Sequence, residues 1–223
     1  MQTSKELSAS APMEQVLARR LLPAVVIEQA DLAIPLCEAL LAAELNVIEV
    51  TFRTAAAEEA IRHIAQRFPE MILGAGTLLS VEQVSRARDA GAIFGVAPGL
   101  SEAVLRGARK CGLTLIPGAV TPTEISRALE LGCSVLKFFP ADANGGVKTL
   151  HALAGAFGHT GVRFVPTGGI DGRNLRDYLE LPVVAAVGGS WMVARQLIAA
   201  KNWKMIETLA REALAAANEV RRP

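Results

Sequence analysis

Residues 134–141, S-V-L-K-F-F-P-A, decide how this chain is read, because they set one lysine in the middle of an otherwise apolar strand. A strand alternates faces, so Val135, Lys137 and Phe139 share one side while Leu136 and Phe138 share the other. Strands that are apolar on both sides belong to parallel sheets covered by helices, and Lys137 is therefore predicted to project into a packed interior. An ammonium buried without compensation is costly, and buried amines tend to give up their proton. An uncharged buried amine is a nucleophile, as Schiff-base chemistry on a carbonyl requires. The alternative is a structural lysine that pairs with a buried carboxylate or snorkels to water.

Working outward, the same apolar unit recurs at 22–27, 46–52, 71–77, 92–98, 113–120, 163–167 and 183–190, which makes eight strands with the one above. Helical patterns lie between them at 55–68, 81–90, 102–111, 122–131, 147–157 and 173–179. A short helix is predicted at 13–20, a helix capped by Asp31 runs to about Glu44, and a final helical region runs from Trp191 to the C-terminus. Strands alternating with helices at roughly 20–30-residue intervals indicate right-handed parallel crossovers. Eight of them predict an α/β fold, a (β/α)8 TIM barrel, as one domain over 1–223 with a polar tail at 1–12. The rival is an open doubly wound sheet, which usually has fewer strands and a glycine-rich turn after the first. Here the first strand runs into I-E-Q-A-D, with no glycine.

The bulk properties agree with one globular unit and narrow its partners. The 223 residues are 51% hydrophobic and 20% charged, enough for a large core. A net charge of +1 and 4% aromatic content give no basic field or stacking platform for nucleic acid, and none is expected as a partner. Cys37, Cys111 and Cys133 are odd in number and form no C-x-x-C pair, which reads as reduced thiols. With no apolar run of membrane-spanning length and no signal-peptide core at the start, a cytoplasmic protein without a membrane partner is expected.

In a barrel the chemistry sits where strands end and βα-loops begin. On the second strand Val47, Glu49, Thr51 and Arg53 share a face, so Glu49 points inward with Lys137. The two form either a buried ion pair or a general acid/base beside a Schiff-base nucleophile. Arg53, just beyond the strand, stands at the mouth, where a guanidinium grips a carboxylate bidentately. The third strand ends G-A-G-T, with Thr77 at the rim. A-P-G (97–99) and I-P-G-A-V-T-P (116–122) read as rigid turns shaping the mouth, with Pro98 counted among the substrate-facing positions.

The seventh and eighth strands end in P-T-G-G-I (166–170) and G-G-S-W (188–191). Glycine pairs let backbone N–H groups approach an anion, and a helix starting just after Ser190 would add its positive end. That position predicts phosphate binding. His63, His151 and His159 fall away from strand ends, so no metal and no cofactor is expected. Lys148, after N-G-G, reads as solvated.

Taken together, I-E-V-T-F-R-T, G-A-G-T, P-G-L, P-G-A-V-T-P, K-F-F-P-A-D-A-N-G-G-V-K, P-T-G-G-I and G-G-S-W resemble, in order, the 2-keto-3-deoxy-6-phosphogluconate aldolases from about Leu22 to Trp191. The resemblance implies a class I aldolase of the Entner–Doudoroff pathway acting on a phosphorylated 2-keto acid. Lys137 would form the Schiff base, Glu49 would be the general acid/base, and Arg53 and Thr77 would hold the pyruvate carboxylate. Phe139 and Thr167 would line the pocket, while Gly168, Gly169, Gly189 and Ser190 would hold the phosphate. A homotrimer is also implied. Phe52, Gly95 and Ala97 depart from the family pattern and bear on substrate preference. The alternatives are a 4-hydroxy-2-oxoglutarate or phosphogalactonate aldolase using the same lysine, and a non-catalytic phosphate-binding barrel.

Overall fold

A computed structural model of the chain describes residues 11–220. The polar tail expected at 1–12 falls outside them except for its last two residues, which open the first helix. In chain order the elements are α1 (Ala11–Ala18), β1 (Leu21–Val25), α2 (Ala33–Ala42), β2 (Val47–Thr51), α3 (Ala57–Arg67), β3 (Ile72–Gly76), α4 (Val81–Ala90), β4 (Phe94–Val96) and α5 (Glu102–Lys110). They continue as β5 (Thr114–Ile116), α6 (Pro122–Glu130), β6 (Val135–Phe138), α7 (Gly146–Phe157), β7 (Arg163–Pro166), α8 (Leu175–Leu179), β8 (Val187–Gly189), α9 (Arg195–Ala199) and α10 (Trp203–Glu219).

Each strand falls within or one residue from a predicted segment, but most are shorter. All pair in parallel. One curled sheet of six strands has the order β5-β4-β3-β2-β1-β8, and β6 and β7 form a second sheet of two. The expected α/β fold of parallel strands is present, with the eight strands divided between two sheets. Between the two sheets the pairing thins to single bridges, Gly118 with Lys137 on one side, Phe164 with Val184 and Thr167 with Gly188 on the other. A physical reason is visible at β5: Pro117 follows its last residue and has no N–H to continue a ladder.

The helices cover the strands as their patterns predict. On α3, Ala57, Ala60, Ile61 and Ile64 are buried, a stripe at i, i+3, i+4 and i+7. The α4 helix starts at Ser80, whose side chain accepts the Gln83 N–H, and stops at Gly91 in the left-handed region at φ 110. Two helical expectations fail. Asp31 caps nothing: it lies in a 3-10 turn, Ala30–Leu32, through which the chain enters α2, and its side chain is left almost wholly in solvent. The region from Trp191 is broken into a 3-10 turn (Trp191–Val193), α9 and α10.

Arg20, predicted as the end of the first helix, turns into the left-handed region at φ 60 instead. Its buried guanidinium donates to the carbonyls of Ala217 at 2.6 Å and Leu179 at 3.4 Å, and also to that of Val220. One arginine thus ties the carbonyl ends of α8 and α10 to the entry of β1. Among the described residues, no helix is long and apolar enough to cross a membrane.

Candidate active site

A cavity of about 620 Å³ opens at the C-terminal ends of the strands. Lys137 projects into it from β6 and Glu49 from β2, on the inward faces that alternation assigns them. Lys137 is 7% exposed and Glu49 0%. The Lys137 Nζ donates to Glu49 Oε1 at 3.3 Å, while Glu49 Oε2 is buried with no protein hydrogen-bond partner. A buried carboxylate oxygen left unmatched is costly, and at a cavity wall it is an acceptor free to take a proton. The Lys137 ammonium also lies 5.3 Å from the centroid of the Phe139 ring, the neighbour predicted to share its face.

Local packing makes room for this pair. Glu49 is paired in register with Ala24 on one side and Gly74 on the other. Two residues beyond Gly74, a Cβ on Gly76 would stand 2.0 Å from Glu49 Oε1, so a side chain there would push the carboxyl group out of this position. Thr51, next on the inward face, is anchored by its hydroxyl to the Val25 carbonyl at 2.8 Å, fixing the end of β2 against β1.

The other predicted residues line the same cavity: Arg53, Thr77 and Pro98 from the loops after β2, β3 and β4, and Thr167, Gly168, Gly169, Gly189 and Ser190 from those after β7 and β8. Thr77 holds φ 57, unusual outside glycine and a conformation that tends to concentrate at functional sites. Gly168 and Gly169 at φ 97 and 77 turn the chain away from β7. Among the described residues no three His, Cys, Asp or Glu side chains gather as a metal site would require.

The sequence matches the KDPG and KHG aldolase family over residues 13–209. The chain belongs to that family. It is 46% identical over 205 residues to the 2-dehydro-3-deoxy-phosphogluconate aldolase of Dickeya dadantii, covering 92% of this chain and 95% of that one. To the KHG/KDPG aldolase of Escherichia coli it is 46% identical over 192 residues, 86% of this chain and 89% of the other. Among solved structures it resembles the KDPG aldolase of Legionella pneumophila, determined with pyruvate captured as a covalent carbinolamine. The TM-score is 0.87 at 39% identity, covering 92% of this chain and 98% of that one.

Two features of this KDPG and KHG aldolase family member differ from the sequence reading. No α-helix starts just after Ser190. The chain makes a three-residue 3-10 turn there, Ser190 makes no side-chain cap, and α9 begins only at Arg195. The helix start expected just after Ser190 is thus one short 3-10 turn rather than an α-helix. Second, Val26, Val193, Arg195 and Gln196 also line the cavity and were not singled out. Arg195 sits four residues past G-G-S-W, outside any motif, and no periodicity marks it.

Proposed function

We propose that this protein is a class I aldolase that cleaves 2-keto-3-deoxy-6-phosphogluconate to pyruvate and glyceraldehyde 3-phosphate through a Schiff base on Lys137. The carrying observation is the buried Lys137 amine 3.3 Å from the Glu49 carboxylate, at the wall of a cavity large enough for the substrate. Passing a proton to Glu49 leaves the amine free to attack the C2 carbonyl. Glu49 returns protons as the carbinolamine loses water to an iminium. The iminium then accepts the electron pair of the C3–C4 bond once Glu49, acting through water, removes the C4 hydroxyl proton. Glyceraldehyde 3-phosphate leaves, and an enamine remains. Protonation at C3 and hydrolysis release pyruvate and restore Lys137.

Arg53 and Thr77 hold the pyruvate carboxylate, Phe139, Thr167 and Pro98 shape the pocket, and the backbone at Gly168, Gly169, Gly189 and Ser190 holds the phosphate. The E. coli relative's name supports a second substrate for the same lysine, 4-hydroxy-2-oxoglutarate. The single bridges between the two sheets support their closure into one (β/α)8 barrel. A homotrimer in the cytoplasm, serving the Entner–Doudoroff pathway, completes the reading; exposed Leu79 and Val81 offer apolar surface for subunit contact.

The test is reduction with borohydride in the presence of pyruvate, followed by intact and peptide mass. The expected result is a lactyl adduct on Lys137 that Lys137→Ala lacks, with cleavage activity lost in that variant. Unchanged mass in the wild type would overturn the reading in favour of a phosphate-binding barrel without chemistry.

A further inference from the structure

Arg195 stands between two cavities. It lines the main one just past Ser190, and also a neighbouring one of about 290 Å³ whose other wall includes Val26, Glu28 and Leu32. Its Nη2 lies 3.2 Å from Glu28 Oε1, with the two side chains 52% and 63% exposed. An ion pair this wet contributes little to stability, so the guanidinium changes partner at small cost.

The charge lining the main cavity gives it somewhere to go. Among the described lining residues, Arg53, Lys137 and Arg195 face a single carboxylate, Glu49, because Glu28 belongs only to the smaller cavity. Lys137 and Glu49 offset each other. Two guanidiniums remain without a counter-charge inside the cavity. They follow β2 and β8, which flank β1, so their loops start about 10 Å apart at ordinary strand spacing. A substrate with a carboxylate at one end and a phosphate at the other presents two anions across a comparable span.

We propose that Arg195 is a specificity-determining residue: it leaves Glu28 to grip the distal phosphate at the Gly168, Gly169, Gly189 and Ser190 end, and Glu28 sets how readily it does so. This rests on the phosphate reading above. Backbone N–H groups accept any anion of suitable shape, whereas a guanidinium fork adds full charge and bidentate geometry that favour a phosphate dianion. Glu28 then acts as a holding partner that keeps the arginine extended beside the mouth when the cavity is empty.

Steady-state kinetics with 2-keto-3-deoxy-6-phosphogluconate and its unphosphorylated analogue, 2-keto-3-deoxygluconate, test this. Arg195→Ala is expected to raise KM for the phosphorylated substrate roughly 10- to 100-fold, the range for losing a charge-assisted hydrogen bond, with kcat little changed. The same variant should treat the unphosphorylated substrate as the wild type does, and trap pyruvate on Lys137 normally, which also shows that it folds. Glu28→Gln should lower KM for the phosphorylated substrate about two- to threefold, the scale of an exposed pair. If Arg195→Ala keeps the wild-type preference for the phosphorylated substrate, Arg195 has no such role. If the wild type itself shows no preference, the phosphate reading fails first and takes this one with it.

Discussion

The two ends of the strands each carry a cavity, and only the upper one brings a buried lysine and a buried carboxylate together. At the C-terminal ends the space of about 620 Å³ is walled by a lysine and a carboxylate held 3.3 Å apart. At the N-terminal ends of β5 and β6 a space of about 330 Å³ is lined by Met13, Leu105, Leu113 and Leu115, with Arg109 and Cys133 at its edge. Cys133 is the nearest thing to a nucleophile there. Burial pushes its thiol up, Arg109 only partly offsetting this, which disfavours the thiolate form. Arg109 in turn is occupied by the Leu131 carbonyl. A cavity becomes a site when a desolvated nucleophile has a partner able to move its proton, and the lower end lacks that partner.

The contrast is tested hardest at Glu49. Glu49→Gln keeps the shape of the side chain and a hydrogen-bonding oxygen near Lys137 but removes the proton carrier. Turnover is expected to fall about 10²- to 10⁴-fold, the usual contribution of a positioned acid/base, while slow borohydride trapping of pyruvate persists. Turnover within tenfold of wild type would mean that another group carries the protons, and that the pair at the upper end is structural.

The lower end should answer in the opposite currency. Leu105→Ala, on α5 and 4% exposed, removes buried methyl groups beside an existing cavity. A loss of about 2–3 kcal/mol in unfolding free energy by denaturant titration is expected. At temperatures where the variant stays folded, kcat/KM should remain within twofold of wild type. A proportionate loss of activity would couple the two ends and break the distinction between them.

Much of the upper end was legible in the sequence because its signals are local. Alternation along V-I-E-V-T and V-L-K-F is enough to turn Glu49 and Lys137 inward, and strand ends are where a parallel sheet presents its loops. The reason for Gly76 was not legible: G-A-G-T reads equally as filling for a tapering interior, and only the three-dimensional approach of Glu49 Oε1 shows what the missing Cβ spares. Arg195 and Arg20 were missed because each finds its partners far along the chain, Glu28 in one case and Ala217 and Leu179 in the other. The thinning of the ladder on either side of the β6–β7 sheet was also invisible, since a residue run of strand composition does not say how many of its backbone groups find a neighbour. Asp31 misled for a related reason: a good capping residue caps only if the helix begins immediately after it.

One helix start at the mouth, T-P-T-E at 121–124, carries a capping box and yields the smallest effect. Thr121 accepts the Glu124 N–H at 3.3 Å, while Glu124 Oε2 accepts the N–H groups of Val120 at 3.0 Å and Thr121 at 2.9 Å. Those bonds, Val120's first, hold the Glu124 carboxyl below its ordinary value of 4.5, against an opposing effect of burial. Because the folded value is the lower one, the ionised form stabilises the fold fully above the unfolded value, and that contribution is lost as pH falls through the folded value. Glu124→Gln should therefore cost about 0.5–1 kcal/mol at pH 7, a typical capping contribution. The gap between variant and wild type should close as pH drops below 4.5. Thermal unfolding of both proteins between pH 3 and 7 measures it, and kcat/KM at pH 7 should not move, because the box fixes the backbone of a mouth loop without reaching the cavity that Lys137 and Glu49 share. A gap that stayed constant across that range would mean that Glu124 acts through packing rather than charge.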